Sequence, residues 1–289
     1  MNSKNINKMR IRYFVRLVLM LVTMTLSSAC DGDDDTEANG NNMIVKIDAN
    51  GNVSGGVRFV ALDDKNFLID DIKYTVEDGR LWVSGYDEYS TIENVNIISE
   101  LHYLYNHYKV SGISGFRGCK TIKSVVLPDN VITLPDDVFR DCTSLKSAII
   151  PKAHTYDGWG TFMNCTSLET VKIGEIDDIP QEFFYGCKSL KNIIIPNSVD
   201  HIGSRAFEGS TSLSSIIIPN SVESIADSAF RGCTNLSSIT VQAIIPPEMD
   251  GNYPFENTNN CPIYVPSQSL EAYKSAKGWS RIADRIKAM

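Results

Sequence analysis

The sequence lacks the short motifs of the common catalytic and metal chemistries. It has no Cys-x-x-Cys, no His-Glu-x-x-His, no Gly-x-Ser-x-Gly and no glycine-rich phosphate loop. Histidine is scarce, with four in 289 residues, and cations are outnumbered 27 to 35. The five charges before Cys30 (Lys4, Lys8, Arg10, Arg12, Arg16) are all basic, so the remainder carries a formal charge of −13 rather than −8. That balance argues against sequence-independent nucleic-acid binding, which needs clustered cations to displace phosphate counterions. The longest apolar run, residues 17–26, is too short for a permanent bilayer span. Hydrophobic content of 43% still provides for a sizeable core.

The basic N-terminus, the apolar run and then Ser27, Ser28 and Ala29 before Cys30 form a secretory signal peptide over residues 1–29. Leu26-Ser27-Ser28-Ala29-Cys30 resembles a bacterial lipobox, which implies that Cys30 becomes the acylated first residue. The run Asp31-Gly32-Asp33-Asp34-Asp35 resembles the export tag of Gram-negative lipoproteins displayed on the outer face of the outer membrane. As a calcium loop it fails, with Thr36 where glycine belongs and Asn42 where glutamate belongs. Acyl chains contribute about 0.8 kcal/mol per buried methylene, so the expectation is a membrane-anchored protein with residues 30–42 as a polar tether.

A repeat governs the middle of the chain. Phenylalanines recur at 116, 139, 162, 184, 207 and 230, and a cysteine follows three residues later at 119, 142, 165, 187 and 233, with Ser210 in the remaining place. An aliphatic residue comes three further on, then a short β-rich run that a proline closes in four repeats. A period of 22–23 residues with a leucine-spaced strand marks a solenoid, in which each unit buries its apolar face only against its neighbours. These residues resemble the BspA-like leucine-rich-repeat family of bacterial surface proteins. The resemblance implies a mainly β solenoid, a right-handed superhelix with short strands on one face, whose six units cover residues 110–241. It also implies a β-rich N-terminal cap over 43–109, where Asp78-Gly79 signals a hairpin, and a strand-helix C-terminal cap over 242–289. There Gly278 stops a helix, and Trp279, Ile282 and Ile286 close the core.

Five cysteines at equivalent sites on successive coils, interchangeable with Ser210, read as free buried thiols rather than a disulfide framework. His102 and His107 lie among Tyr103, Tyr105 and Tyr108, where a structural role is expected rather than metal ligation; no metal, cofactor or catalytic group is expected. Acidic pairs such as Asp136-Asp137 and Asp177-Asp178 read as solvated, because adjacent side chains diverge. Asp227-Ser228-Ala229 resembles a short O-glycosylation acceptor sequence.

Strand alternation turns two columns of residues outward. One is small and polar (Ser124, Ser147, Thr170, Asn192, Ser215, Ser238); the other is Val126, Ile149, Lys172, Ile194, Ile217 and Thr240. Four aliphatics in the second column make an exposed apolar stripe, a mark of protein-binding faces; β-branched residues that merely favour strands are the plainer alternative. The repeat from Phe139 departs from the pattern, with His154, Tyr156, Asp157 and Trp159 in a bulging loop, and the next repeat is one residue short with Gly174 in place of proline. The expected function is a non-enzymatic surface lipoprotein with a monomeric ectodomain that binds an extracellular or host protein through the stripe. Glycan capture for nutrient uptake, centred on the irregular loop, is the alternative.

Overall fold

The computed structural model describes residues 44–289 apart from 48–52, 55, 88, 132, 151–157 and 252. Its regular structure is mainly β, with one short α-helix, Leu270–Ser275, between two 3-10 helices near its end.

Residues up to about 113 build a seven-stranded sheet. Its spatial order is Ile44–Ile47, Glu100–Tyr103, Asn106–Ile113, Arg80–Tyr86, Ile72–Glu77, Asn66–Ile69 and Phe59–Ala61. Asp78 and Gly79 both have positive φ (49° and 72°), the requirement of a two-residue hairpin turn that matches strand twist. Tyr74 is fully buried, and its hydroxyl accepts a hydrogen bond from the Ile98 amide at 3.2 Å.

Beyond this sheet the chain coils, and successive coils pair in parallel. One ladder contains Asn94–Asn96, Ser124–Val126, Ser147–Ile150 and Thr170–Ile173; a second sheet continues with Ser215–Ile218, Ser238–Val241, Ile263–Val265 and Ile286–Ala288. Pairing thus starts at Asn94, ahead of the first phenylalanine unit, and strand Asn106–Ile113 runs across the 109/110 boundary drawn from sequence. A further ladder on another side joins the two-residue strands Asp178–Ile179, His201–Ile202, Ser224–Ile225 and Glu248–Met249. Ile179, Ile202 and Ile225 enter the core from it.

The phenylalanines form one continuous stack along the axis. From Tyr86 through Phe116, Phe139, Phe162, Phe184, Phe207, Phe230 and Phe255 to Trp279, neighbouring ring centroids are 5.1–5.8 Å apart. The spacing is set by the strand separation of the coils, about 4.8 Å, plus ring tilt. Left-handed residues flank most of the rings. Gly118, Asp141, Asn164, Gly186, Gly209, Gly232 and Asn257 follow by two positions, and Asp137, Gly160, Glu182, Arg205 and Ser228 precede by two, all with φ between 54° and 73°. Glycine, Asn and Asp take this conformation cheaply, which explains the composition of the following column. Glu182 and Arg205 adopt it at a cost of about 1–2 kcal/mol each, opposed by the burial of the ring that the turn delivers.

The cysteine column has a specific function in the coil. The thiols of Cys142, Cys165, Cys187 and Cys233 donate to the carbonyls of Phe116, Phe139, Phe162 and Phe207 on the preceding coil, at 3.0–3.2 Å. Ser210 Oγ makes the same bond to the Phe184 carbonyl at 3.1 Å. The site therefore selects a small side chain that can donate, not small size alone. Burial pushes the Cys142 and Cys233 thiols up to about 12 and raises those of Cys165 and Cys187 as well, keeping the proton that the bond needs. Replacing Ser210 with Ala removes one of two hydrogen bonds on the buried Phe184 carbonyl, which keeps the Cys187 amide at 3.1 Å, and is expected to cost about 0.5–1.5 kcal/mol. Ser210→Cys restores a donor and should cost markedly less; equal losses in urea unfolding would reduce the column to a matter of volume.

Gly174, which replaces the strand-closing proline, donates its amide to the Ile150 carbonyl at 3.0 Å, a bond that proline could not make. One coil on, residues 191–196 form no regular strand, so the first ladder is interrupted beside the shortened repeat.

Candidate functional site

Across the outward column the exposure is uneven. Ile194 is 85% exposed and Ile217 56%, and Lys172 is also exposed, whereas Val126, Ile149 and Thr240 are half-buried. The stripe expected from sequence is therefore corrected to a shorter patch at the interruption of the ladder: Val126 and Ile149 lie within paired strands whose neighbours cover their flanks, and Ile194 stands on a segment without such pairing. The register extends the column past the repeats, because Thr240 pairs with Tyr264 and Tyr264 with Lys287. An aromatic thus joins a face that the six units alone leave without one. At the other end Asn96 lies beside Val126.

Trp159 is 58% exposed, and its backbone amide donates to the Asp136 carboxylate at 2.8 Å. Cys30, His154, Tyr156 and Asp157 lie outside the described residues. Ser228, the centre of the glycosylation-like sequence, is 3% exposed in the left-handed turn before Phe230, so the folded chain does not present it to a transferase.

Three features were not read from the sequence. Charges on the phenylalanine turns form a ladder along one ridge. Arg117 and Arg140 reach Asp137 at 3.0 and 3.2 Å, Arg205 sits 3.5 Å from Glu182, and Arg231 pairs with Glu256 at 2.9 Å. Between these pairs lies a shallow groove of about 470 Å³ lined by Tyr185, Asn164, Lys188, Glu208, Arg231 and Asn257. On the side ladder, Asp178 lies close to Asp200; burial and this neighbouring carboxylate raise the Asp178 carboxyl above its ordinary range. In the cap sheet, Glu100 meets both His102 and His107. Burial acts to raise the Glu100 carboxyl, but hydrogen bonds from His107 and His102 outweigh it and hold the carboxyl below its ordinary range. The six described cysteines are free and buried. Among the described residues no helix is long and apolar enough to cross a membrane.

A parallel-coil solenoid with a stacked phenylalanine axis, a donor column beneath it and short outward strands defines a leucine-rich-repeat protein. The chain belongs to the BspA-type leucine-rich-repeat family, whose model matches in six copies over residues 88–209 and 174–276. A leucine-rich cell surface protein from Faecalibacterium prausnitzii shares the fold, with 24% identity, a TM-score of 0.56 and coverage of 70% of this chain and 55% of that one. The chain thus spans about half the length of that protein. Structures of the T. pallidum leucine-rich-repeat protein (21% identity, 68% and 78% coverage, TM-score 0.42) and of a leucine-rich-repeat protein from Bacteroides ovatus (24%, 77% and 76%, 0.35) also match. No curated protein matches the chain.

Proposed function

We propose that the protein is a non-enzymatic binding protein displayed on the cell surface, anchored to the outer membrane through acylated Cys30, that holds an extracellular or host protein on its outward strand face. The observation that carries this reading is the pair Ile194 and Ile217, one repeat apart and both more than half exposed, with Lys172 on one side and Tyr264 further along the same column. Large aliphatic side chains with a flanking aromatic and a cation supply the anchor-and-rim composition of protein-binding surfaces. The rigid stack behind the strands keeps the face preorganised, which lowers the entropy cost of association. The Faecalibacterium protein is itself described as a cell surface protein, and surface display is consistent with the acidic run after Cys30. Protease treatment of intact cells tests the location: cleavage of the ectodomain is expected, and complete protection refutes surface display.

The second reading, glycan capture, draws on the ridge groove, where Tyr185 stands among Asn164, Asn257, Glu208 and Arg231. Tyrosine with amide and carboxylate groups is the composition that stacks and hydrogen-bonds a sugar ring. Both readings are tested by screening the ectodomain against panels of extracellular proteins and glycans with three variants. A protein hit lost in Ile194→Asp/Ile217→Asp, and retained in Tyr185→Ala and Trp159→Ala, is the expected result. A glycan hit lost in Tyr185→Ala or Trp159→Ala would replace the first reading with the second.

A further inference from the structure

We propose that Glu100, His102 and His107 form a binding site for a divalent transition-metal ion of the zinc class. The three residues come together through hairpin register. Strands Glu100–Tyr103 and Asn106–Ile113 are antiparallel, with His102 directly opposite His107, and Glu100 is two residues before His102 and so on the same face of the sheet. The His102 and His107 ring centroids are 4.1 Å apart. Both Nε2 atoms converge on one carboxylate oxygen, Glu100 Oε2, at 3.4 and 2.6 Å, and the three donor atoms lie within 4.8 Å of one another. A tetrahedral ion with bonds of about 2.0–2.2 Å holds its ligands roughly 3.3 Å apart, so small side-chain rotations suffice to admit one.

The donor set selects the ion. Two imidazoles and one carboxylate suit zinc, copper(II) or nickel, whereas calcium and magnesium call for oxygen ligands throughout. Three protein ligands leave a coordination position for water or an outside group, and the half-exposed rings keep it accessible. The turn that makes the juxtaposition is strained: Leu104 adopts φ 55°, a region bulky side chains avoid, in a two-residue connection between Tyr103 and Asn106. Two lysines share this face. Lys109 Nζ lies 3.5 Å from the other carboxylate oxygen, Oε1, and Lys46 pairs in register with His102. Neither occupies Oε2, and Lys109 is 65% exposed and free to swing into solvent.

Calorimetric titration of the metal-free full chain with zinc chloride tests the site, with cobalt(II) absorption identifying the ligands. One equivalent is expected to bind, with affinity falling about tenfold or more in each of His102→Gln, His107→Gln and Glu100→Gln. Cobalt bands should lack thiolate charge transfer. Of the three side chains His107 is exposed and Glu100 and His102 are half-buried, and far-ultraviolet circular dichroism checks that each variant stays folded. Absence of binding, unchanged affinity in the His102→Gln and His107→Gln variants, or a thiolate signature would each overturn the proposal.

Discussion

Replacing Phe207 with Ala should cost about 3–5 kcal/mol of unfolding free energy in urea titrations. The ring is fully buried, and it lies 5.3 Å from Phe184 and 5.1 Å from Phe230, with interplanar angles of 22° and 3°. Removing it leaves a cavity between two flat rings that cannot close, because backbone bonds hold the coils at fixed spacing: the Phe207 amide donates to the Ala229 carbonyl at 2.7 Å and the Phe184 amide to the Ala206 carbonyl at 2.7 Å. Loss of two aromatic contacts adds to the transfer cost. The variant should also show a lower denaturant slope, since a weakened interface in a nearest-neighbour array lets the two sides unfold separately. A loss under about 1 kcal/mol with an unchanged slope would mean that the coils collapse around the gap and that the stack does not couple them.

Trp279→Ala is the second large effect expected, again about 3–5 kcal/mol where the end coils unfold with the rest. Trp279 ends the stack on Phe255 at 5.7 Å, meets Tyr273 edge-on at 4.9 Å, and donates its indole N–H to the Pro247 carbonyl at 2.8 Å. Tyr273 in turn donates to the Ala243 carbonyl at 2.7 Å, so the helix and the indole together seal the last coils. Without the indole the Phe255 ring faces water and the terminal strands lose their cover. Amide exchange should accelerate first at Ile263, Val265 and Ile286 while the coils around Phe116 and Phe139 keep their protection. Uniform acceleration along the chain would show that the solenoid opens as one unit and has no distinct end.

The repeat was legible because each unit meets the same surroundings: the same ring, donor and aliphatic recur every 22 or 23 residues. The ends of the stack were legible only in part, because Trp279 reads as a closing residue of the core but no spacing puts it on the ring axis. Tyr86 and Phe255 lie 30 and 25 residues from the nearest ring of the series, and Trp279 belongs to no repeat; tertiary closure alone brings them into line. The two-residue strands of the side ladder are too short to carry a periodic signal. Glu100 went unnoticed because its meeting with the histidines depends on hairpin register, although the spacing of Glu100 and His102 was a usable hint. The exposure of Ile194 follows from an interruption in strand pairing two coils after the irregular loop, and alternation cannot express that. One missed signal was in plain view: Gly, Asp or Asn two residues after each of these phenylalanines announces a left-handed turn.

The thiol-to-carbonyl bonds have a consequence for where this chain can reside. Disulfide exchange requires a thiolate with an open line of approach, and Cys142, Cys165, Cys187 and Cys233 offer neither, each sulfur holding its proton against a main-chain oxygen inside the coil. These four cysteines behave as serines, so the coils they serve have the same structure in a reducing cytosol and in an oxidising exterior. A repeat of this kind added or lost brings no reactive thiol to the surface.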